Sequence, residues 1–150
     1  MFTVTLEDKF SQQIPVMTEN VRGALRKTIN RHAIDLRQYI QSKKLSAEPG
    51  YSATLLHHRS GALKRSITAE VTETATSITG RVYSAGDVKY AAIHEFGGEF
   101  KTRLGTGKRV PKGKAMATMP MRSFMRTSLA ENKVAIIADI NAAVRAGLQI

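Results

Sequence analysis

The chain has 150 residues, of which 42% are hydrophobic, and 23 basic against 12 acidic side chains give it a formal net charge of +11. This length and composition are typical of one globular domain and exclude wholesale disorder, while the lack of any cysteine excludes disulfides, a thiolate nucleophile and cysteine-based metal sites. No run approaches the roughly 20 apolar residues of a membrane span, and the first residues do not resemble a secretory signal, so we expect folding in the cytoplasm without a membrane partner.

The first regular element is predicted to be a long amphipathic helix. Pro15 suits a first helical turn, and apolar residues then recur at intervals of three and four. The members of this stripe are Met17, Val21, Leu25, Ile29, His32, Leu36 and Tyr39 or Ile40. Basic side chains occupy much of the opposite side, and Pro49-Gly50 predicts a turn after the helix.

Two short runs then predict an antiparallel hairpin. Ser60 is a candidate cap for a single turn over residues 61–65, which leads into the first run. Apolar and polar residues alternate in both runs, and a polar link over residues 73–77 separates them. The apolar members are Ile67, Ala69 and Val71 in the first run and Ile78, Gly80 and Val82 in the second. We expect them to face one core.

Two further helices are predicted. Residues 90–96 suit a short helical turn with Tyr90, Ile93 and Phe96 or His94 on its inner face, ended by Gly97-Gly98. Ser123 is a candidate cap for the last helix, whose stripe is Leu129, Lys133, Ile136, Ile140, Val144 and Leu148. The fold class is therefore α+β: one domain over residues 1–150, with a small antiparallel sheet covered by a long N-terminal and a long C-terminal helix.

The excess charge is concentrated in residues 97–126, the basic segment, which carries eight basic side chains and one acidic side chain, a net +7. Its glycines and cations predict a mobile basic loop or loose hairpin over residues 98–117, which trypsin should cut first. The candidate partner or DNA contacts are Lys101, Arg103, Lys108, Arg109, Lys112 and Lys114. Within the basic segment, Phe100 is the only aromatic residue before Phe124. Contact with the backbone of duplex DNA or with an acidic protein therefore fits better than stacking on the bases of a single strand.

Catalytic and cofactor sites are not predicted. His57-His58, His32 and His94-Glu95 lack a metal-ligand spacing, and the glycines of residues 105–109 do not have the spacing of a phosphate loop. No strained serine elbow occurs, and the carboxylates stand mostly beside basic residues, as expected of solvated faces. We therefore expect no catalytic residue, no metal, no cofactor and no enzymatic activity.

Three motifs taken together resemble the tail-component family of tailed bacteriophages, whose members are virion morphogenesis, minor tail or tail completion proteins. They are Arg59-Ser-Gly-Ala-Leu-Lys-Arg-Ser-Ile67, Tyr90-Ala-Ala-Ile-His-Glu-Phe-Gly-Gly98 and Met119-Pro-Met-Arg-Ser-Phe-Met125. The physical interpretation of these motifs is structural: they anchor the first strand, close a turn on the sheet and fix the start of the last helix. The residues concerned are Gly61, Leu63, Tyr90, His94, Glu95, Phe96, Gly97, Pro120, Arg122 and Phe124.

The resemblance implies a structural protein that completes the tail or joins it to the head at the neck. It further implies a ring of six copies around the DNA channel, in a phage or prophage virion assembled in host cytoplasm. Tail tube, tail terminator or head-completion proteins would be partners, with non-specific contact to genomic DNA. The alternative is a nucleic-acid-binding accessory protein that uses the basic segment directly.

Overall fold

The computed structural model describes residues 3–7, 19–46, 56, 61–86, 88, 90–101 and 116–148, with backbone only for residues 3–7, 100, 101, 116 and 117. Its elements, in chain order, are β1 (Thr3–Glu7), α1 (Glu19–Tyr39) with a π-helical turn at Ile40–Lys44, α2 (Ala62–Ser66), β2 (Ile67–Glu73), β3 (Ile78–Ser84), α3 (Tyr90–Phe96), β4 (Gly98–Lys101), β5 (Met116–Met119) and α4 (Met125–Leu148). The predicted α+β class is confirmed.

The strands form two antiparallel sheets, one of three strands in the order β1-β3-β2 and one that pairs β4 with β5. In the predicted hairpin, Ala69 lies opposite Val82 and Val71 opposite Gly80, so their side chains share one face. The turn is closed by the amide of Thr74, which donates to the carbonyl of Ser77 at 2.8 Å. Strand β1 was not predicted, because its few apolar residues form too short a pattern; it pairs with β3.

Helix α1 lies on the inner face of the three-stranded sheet, and α4 packs along α1. The predicted stripe of α1 is confirmed at its buried positions, which are Val21, Leu25, Ile29, Leu36 and Ile40. Ala33 is also buried, whereas His32 keeps 11% of its side chain exposed. The proposed start of the helix at Pro15 lies outside the described residues.

The predicted buried stripe of α4 was wrong at two positions, and the close approach of α4 to α1 explains why. Lys133 and Leu148 are exposed, whereas Ile136 is buried together with the small residues Ser128, Ala143 and Gly147. A Cβ atom added at Gly147 would lie 2.5 Å from the Cα of Val21, so a larger residue cannot occupy that position without moving a helix. Periodicity of large apolar residues does not detect a contact made by small ones.

Two groups of buried apolar residues form the core. One joins α1 and α4 to the sheet: Val21, Leu25, Ile29, Ile78 and Ala143, with Val71, Ile140 and Val144 packed against it. The other includes Leu63 from α2, Ala91 from α3, and Phe124 and Met125 at the start of α4. The three motifs found in the sequence therefore contribute to one cluster, although they are far apart in the chain.

Candidate functional site: the base of the basic segment

The chain enters the basic segment from α3 and β4 and leaves it through β5 and α4. Strands β4 and β5 are paired in register, with Gly98 opposite Met119 and Lys101 opposite Met116. The two described ends of the basic segment thus lie side by side. This arrangement is that of a hairpin, one of the two conformations predicted for the segment. Arg103, Lys108, Arg109, Lys112 and Lys114 lie outside the described residues, as does the side chain of Lys101, so the predicted mobility of residues 98–117 and its trypsin test stay predictions.

Glu95 ties α3 to the start of α4. Its carboxylate has no exposed surface and accepts hydrogen bonds from the backbone amides of Phe124 (2.8 Å), Met125 (2.9 Å) and Arg126 (3.0 Å). A negative charge is favoured here because the first amides of a helix lack partners within the helix and carry its positive dipole end. We call Glu95 and residues 123–126 the clamp.

Two side chains complete the clamp. The hydroxyl of Ser123 donates to Glu95 Oε1 at 2.6 Å, and Arg126 Nε lies 3.2 Å from the same oxygen. Arg126 Nη2 also donates to the Glu95 carbonyl at 3.0 Å. The sequence-based assignment of Ser123 as the helix cap was therefore wrong: a carboxylate 28 residues earlier performs the capping, and Ser123 supports it as a donor.

The predicted inner face of α3 was also wrong. Ala91 and Glu95 are buried, whereas Tyr90 is 41% and Phe96 51% exposed. The four-residue spacing of Ala91 and Glu95 places both on the side that faces α4. Burial of the carboxylate is tolerated there because backbone amides at the start of α4 donate hydrogen bonds to it. Among the described carboxylates, Glu95 departs from the expectation of solvated faces, and the tertiary contact with α4 reveals this.

Gly97 allows the chain to turn sharply between α3 and β4. It has φ +69°, and a Cβ atom there would lie 2.9 Å from the backbone nitrogen of Met121. The neighbouring Gly98 has φ +135°, so both glycines adopt a positive φ, which glycine tolerates better than other residues. The amide of Arg122 donates to the His94 carbonyl at 2.8 Å, which adds a second tie between the two ends.

His94 lies half-buried beside this tie. Burial, and then the positive charge of Arg122, lower the pKa of the His94 imidazole below its ordinary value of 6.5. Its ring meets that of Tyr90 edge-on, with 6.0 Å between the centroids. His94 is therefore a neutral packing residue at neutral pH.

An exposed patch adjoins the clamp, formed by Phe96, Met121 and Arg126. The guanidinium carbon of Arg126 lies 4.7 Å from the Phe96 ring centroid, and Arg126 Nη2 lies 3.4 Å from the Met121 sulfur. Met121 is 60% exposed, and the Arg126 side chain is 50% exposed. Aromatic residues, methionine and arginine are the types enriched at protein interfaces. Met121 and Arg126 were not among the candidate residues predicted from the sequence, because an exposed patch depends on the tertiary fold.

The remaining motif residues have supporting positions. Gly61 precedes α2 with φ +69° and is its N-cap residue, whereas Ser60, the cap predicted from the sequence, lies outside the described residues. Leu63 and Phe124 are buried in the shared cluster, whereas Pro120 is exposed in the connection after β5. The structure thus brings His94, Glu95, Gly97, Arg122 and Phe124 together.

A comparison with protein-family models matches residues 22–144 to the phage virion morphogenesis family. The chain belongs to this family. It therefore has a role in phage virion morphogenesis, in line with the resemblance of the three motifs. Neither the curated proteins nor the solved structures give a match.

The described residues also bear on metal binding and on membrane insertion. Within them, no group of three histidine, aspartate or glutamate side chains is placed to hold a metal ion. The helices of this part of the chain are also too short or too polar to cross a membrane. The clamp itself has no reacting group facing an open cavity, because its carboxylate is enclosed by backbone amides.

Proposed function

We propose that the protein is a tail-completion or neck component that joins the tail to the head, assembled as a ring of six around the DNA channel. Membership of the morphogenesis family supports a structural role in the virion. The base of the basic segment then suggests how it acts: it holds the two described ends of a cationic segment next to an exposed apolar patch.

The observation that carries this proposal is the clamp. A buried carboxylate with five hydrogen-bonded donors holds both ends of a +7 segment against the folded core. A segment that only kept the protein in solution would need no such anchorage. Holding the two ends lowers the entropic cost of docking, because these ends need not be ordered on contact.

Ring assembly multiplies this effect. Six copies of a segment with net charge +7 place about forty positive charges around one axis. Such a field attracts the phosphate backbone of a passing genome or an acidic neighbouring ring without reading sequence. The exposed Phe96 and Met121 provide apolar contact beside the charges, so the patch and the segment form one docking surface for a tail or head-completion protein.

The test is complementation in the phage genome that encodes the chain. Changing Lys101, Arg103, Lys108, Arg109, Lys112 and Lys114 to glutamine should leave thermal unfolding unchanged and reduce infectious titre at least tenfold. Electron microscopy should show separate heads and tails. Normal joined particles at wild-type titre would contradict a docking role for the segment.

A smaller pair of variants controls for charge alone. The triple change Lys108→Gln, Lys112→Gln and Lys114→Gln should reduce titre, whereas the same change at the exposed lysines Lys27, Lys43 and Lys133 should not. Equal losses would show that only net charge matters. Tight, salt-resistant binding of one DNA sequence by the isolated protein would favour the accessory DNA-binding function instead.

A further inference from the structure

The outer face of α4 carries apolar side chains that no described element covers. Val134 is 80% exposed, Ile137 45% and Leu148 59%. Together with Ala130 and Asn141 they recur at intervals of four, three, four and seven residues. This is the spacing of one seam of a coiled coil, and it extends over about 27 Å of helix.

One acidic and one basic residue flank this seam at equal distances from Ala138. Glu131 and Arg145 stand on the same side of the seam, and Ala138 is seven residues from each. If a second copy of α4 lies antiparallel and crosses at Ala138, each Glu131 meets the other copy's Arg145. A parallel pairing would instead place Glu131 beside Glu131 and Arg145 beside Arg145, so that like charges repel.

The surface shape of α4 also fits the antiparallel register centred on Ala138. A shallow groove of about 460 Å³ lies beside the seam, lined by Ala138, Asn141, Ala142, Arg145 and Ala146. In the antiparallel register centred on Ala138, Val134 of one copy falls opposite Ala142 of the other, which lies in this groove. Alanines at the crossing allow the helices to approach closely, and the pairing is isologous, with both copies using the same surface.

We infer that two copies of this chain associate through an antiparallel, two-fold contact between their α4 helices, centred on Ala138 and flanked by two Glu131–Arg145 ion pairs. This contact is independent of the proposed ring, whose neighbours meet head to tail. Within its own chain the Glu131 carboxylate accepts hydrogen bonds from Lys44 Nζ at 2.7 Å and from the Tyr39 hydroxyl at 2.9 Å, and the 45% of the side chain that stays exposed is the part that would meet Arg145 of the second copy.

Sedimentation equilibrium of the full chain tests the seam. Val134→Glu should raise the dissociation constant of the two-fold contact at least tenfold, because it places two charges in an apolar seam. Gln38→Glu also adds one negative charge, at an exposed position of α1 outside this contact, and should have no effect. At concentrations where neither variant associates, their thermal unfolding should be equal. A monomeric wild-type protein, or association that Val134→Glu leaves unchanged, would overturn the inference.

Cross-linking tests the register, and the cysteine-free chain makes single-cysteine variants selective. With a short bis-maleimide, Ala138→Cys should form dimers with itself. A mixture of Glu131→Cys and Arg145→Cys should cross-link only between the two variants, because the antiparallel register separates like positions by about 21 Å. Self-cross-linking of Glu131→Cys would indicate a parallel contact and contradict the proposal, as would a failure of Ala138→Cys to cross-link.

Discussion

Glu95 shows how a single carboxylate can join distant parts of a chain. It lies in a seven-residue helix, yet its hydrogen bonds are made with residues 28 to 31 positions later. Because its partners include three helix amides, the carboxylate replaces the local cap that would ordinarily be found near residue 123. The start of α4 therefore depends on α3 being in place, and the two ends of the basic segment form together.

The first prediction follows from this dependence. Glu95→Ala removes the acceptor of a buried helix terminus and leaves its donors without a partner, so it should lower the free energy of unfolding by at least about 2 kcal/mol. Urea unfolding followed by circular dichroism measures this. Glu99→Ala removes an exposed carboxylate in β4 and should change stability by no more than about 0.5 kcal/mol. Equal effects of the two substitutions would show that the clamp does not stabilise the fold.

At the scale of elements, the helices and strands that were predicted correctly are those with a regular spacing of apolar residues. The stripe of α1 and the β2–β3 hairpin are regular patterns of large apolar residues, and both were found. The burial of Glu95, Ser128 and Gly147 escaped prediction because it depends on contacts with other elements. The predicted motif residues did include Glu95 and Gly97, but their shared task with residues 123–126 becomes visible only when α3 meets α4.

The contact between α1 and α4 gives the second prediction. Gly147→Ala brings a methyl group against the backbone of Val21, and should destabilise the protein by about 1 to 3 kcal/mol. Gly23→Ala is the matched change in α1, where nothing lies within 4 Å of the added atom. It should stabilise by about 0.5 to 1 kcal/mol, because alanine loses less backbone entropy in a helix. Thermal unfolding of both variants gives the comparison; a stabilising Gly147→Ala would contradict the close approach.

Stability of the whole molecule is tied to pH through groups that join separate elements. Arg26 and Arg22 of α1 bind Glu73 at the end of β2 and lower the pKa of that carboxyl from 4.5 to about 2. Lys44 and Tyr39 likewise lower the pKa of Glu131 on α4. His94, near the basic segment, has its pKa lowered by burial and by Arg122. All three groups bind protons more readily in the unfolded chain, so acid favours unfolding.

The third prediction separates these groups by the pH window in which each acts. As pH falls from 7.5 to 5, the unfolded chain protonates His94 first, so the wild-type protein should lose stability relative to His94→Gln. The stabilising effect of Glu73 is complete above pH 4.5 and should be lost as pH falls toward 2. Glu73→Gln should therefore be less stable than wild type at pH 6 and approach it near pH 2. Glu70→Gln makes the same change on the exposed side of β2 and is the matched control. Unfolding curves at each pH give the differences, and a constant difference between wild type and His94→Gln from pH 7.5 to 5 would show that the imidazole is not held neutral beside Arg122.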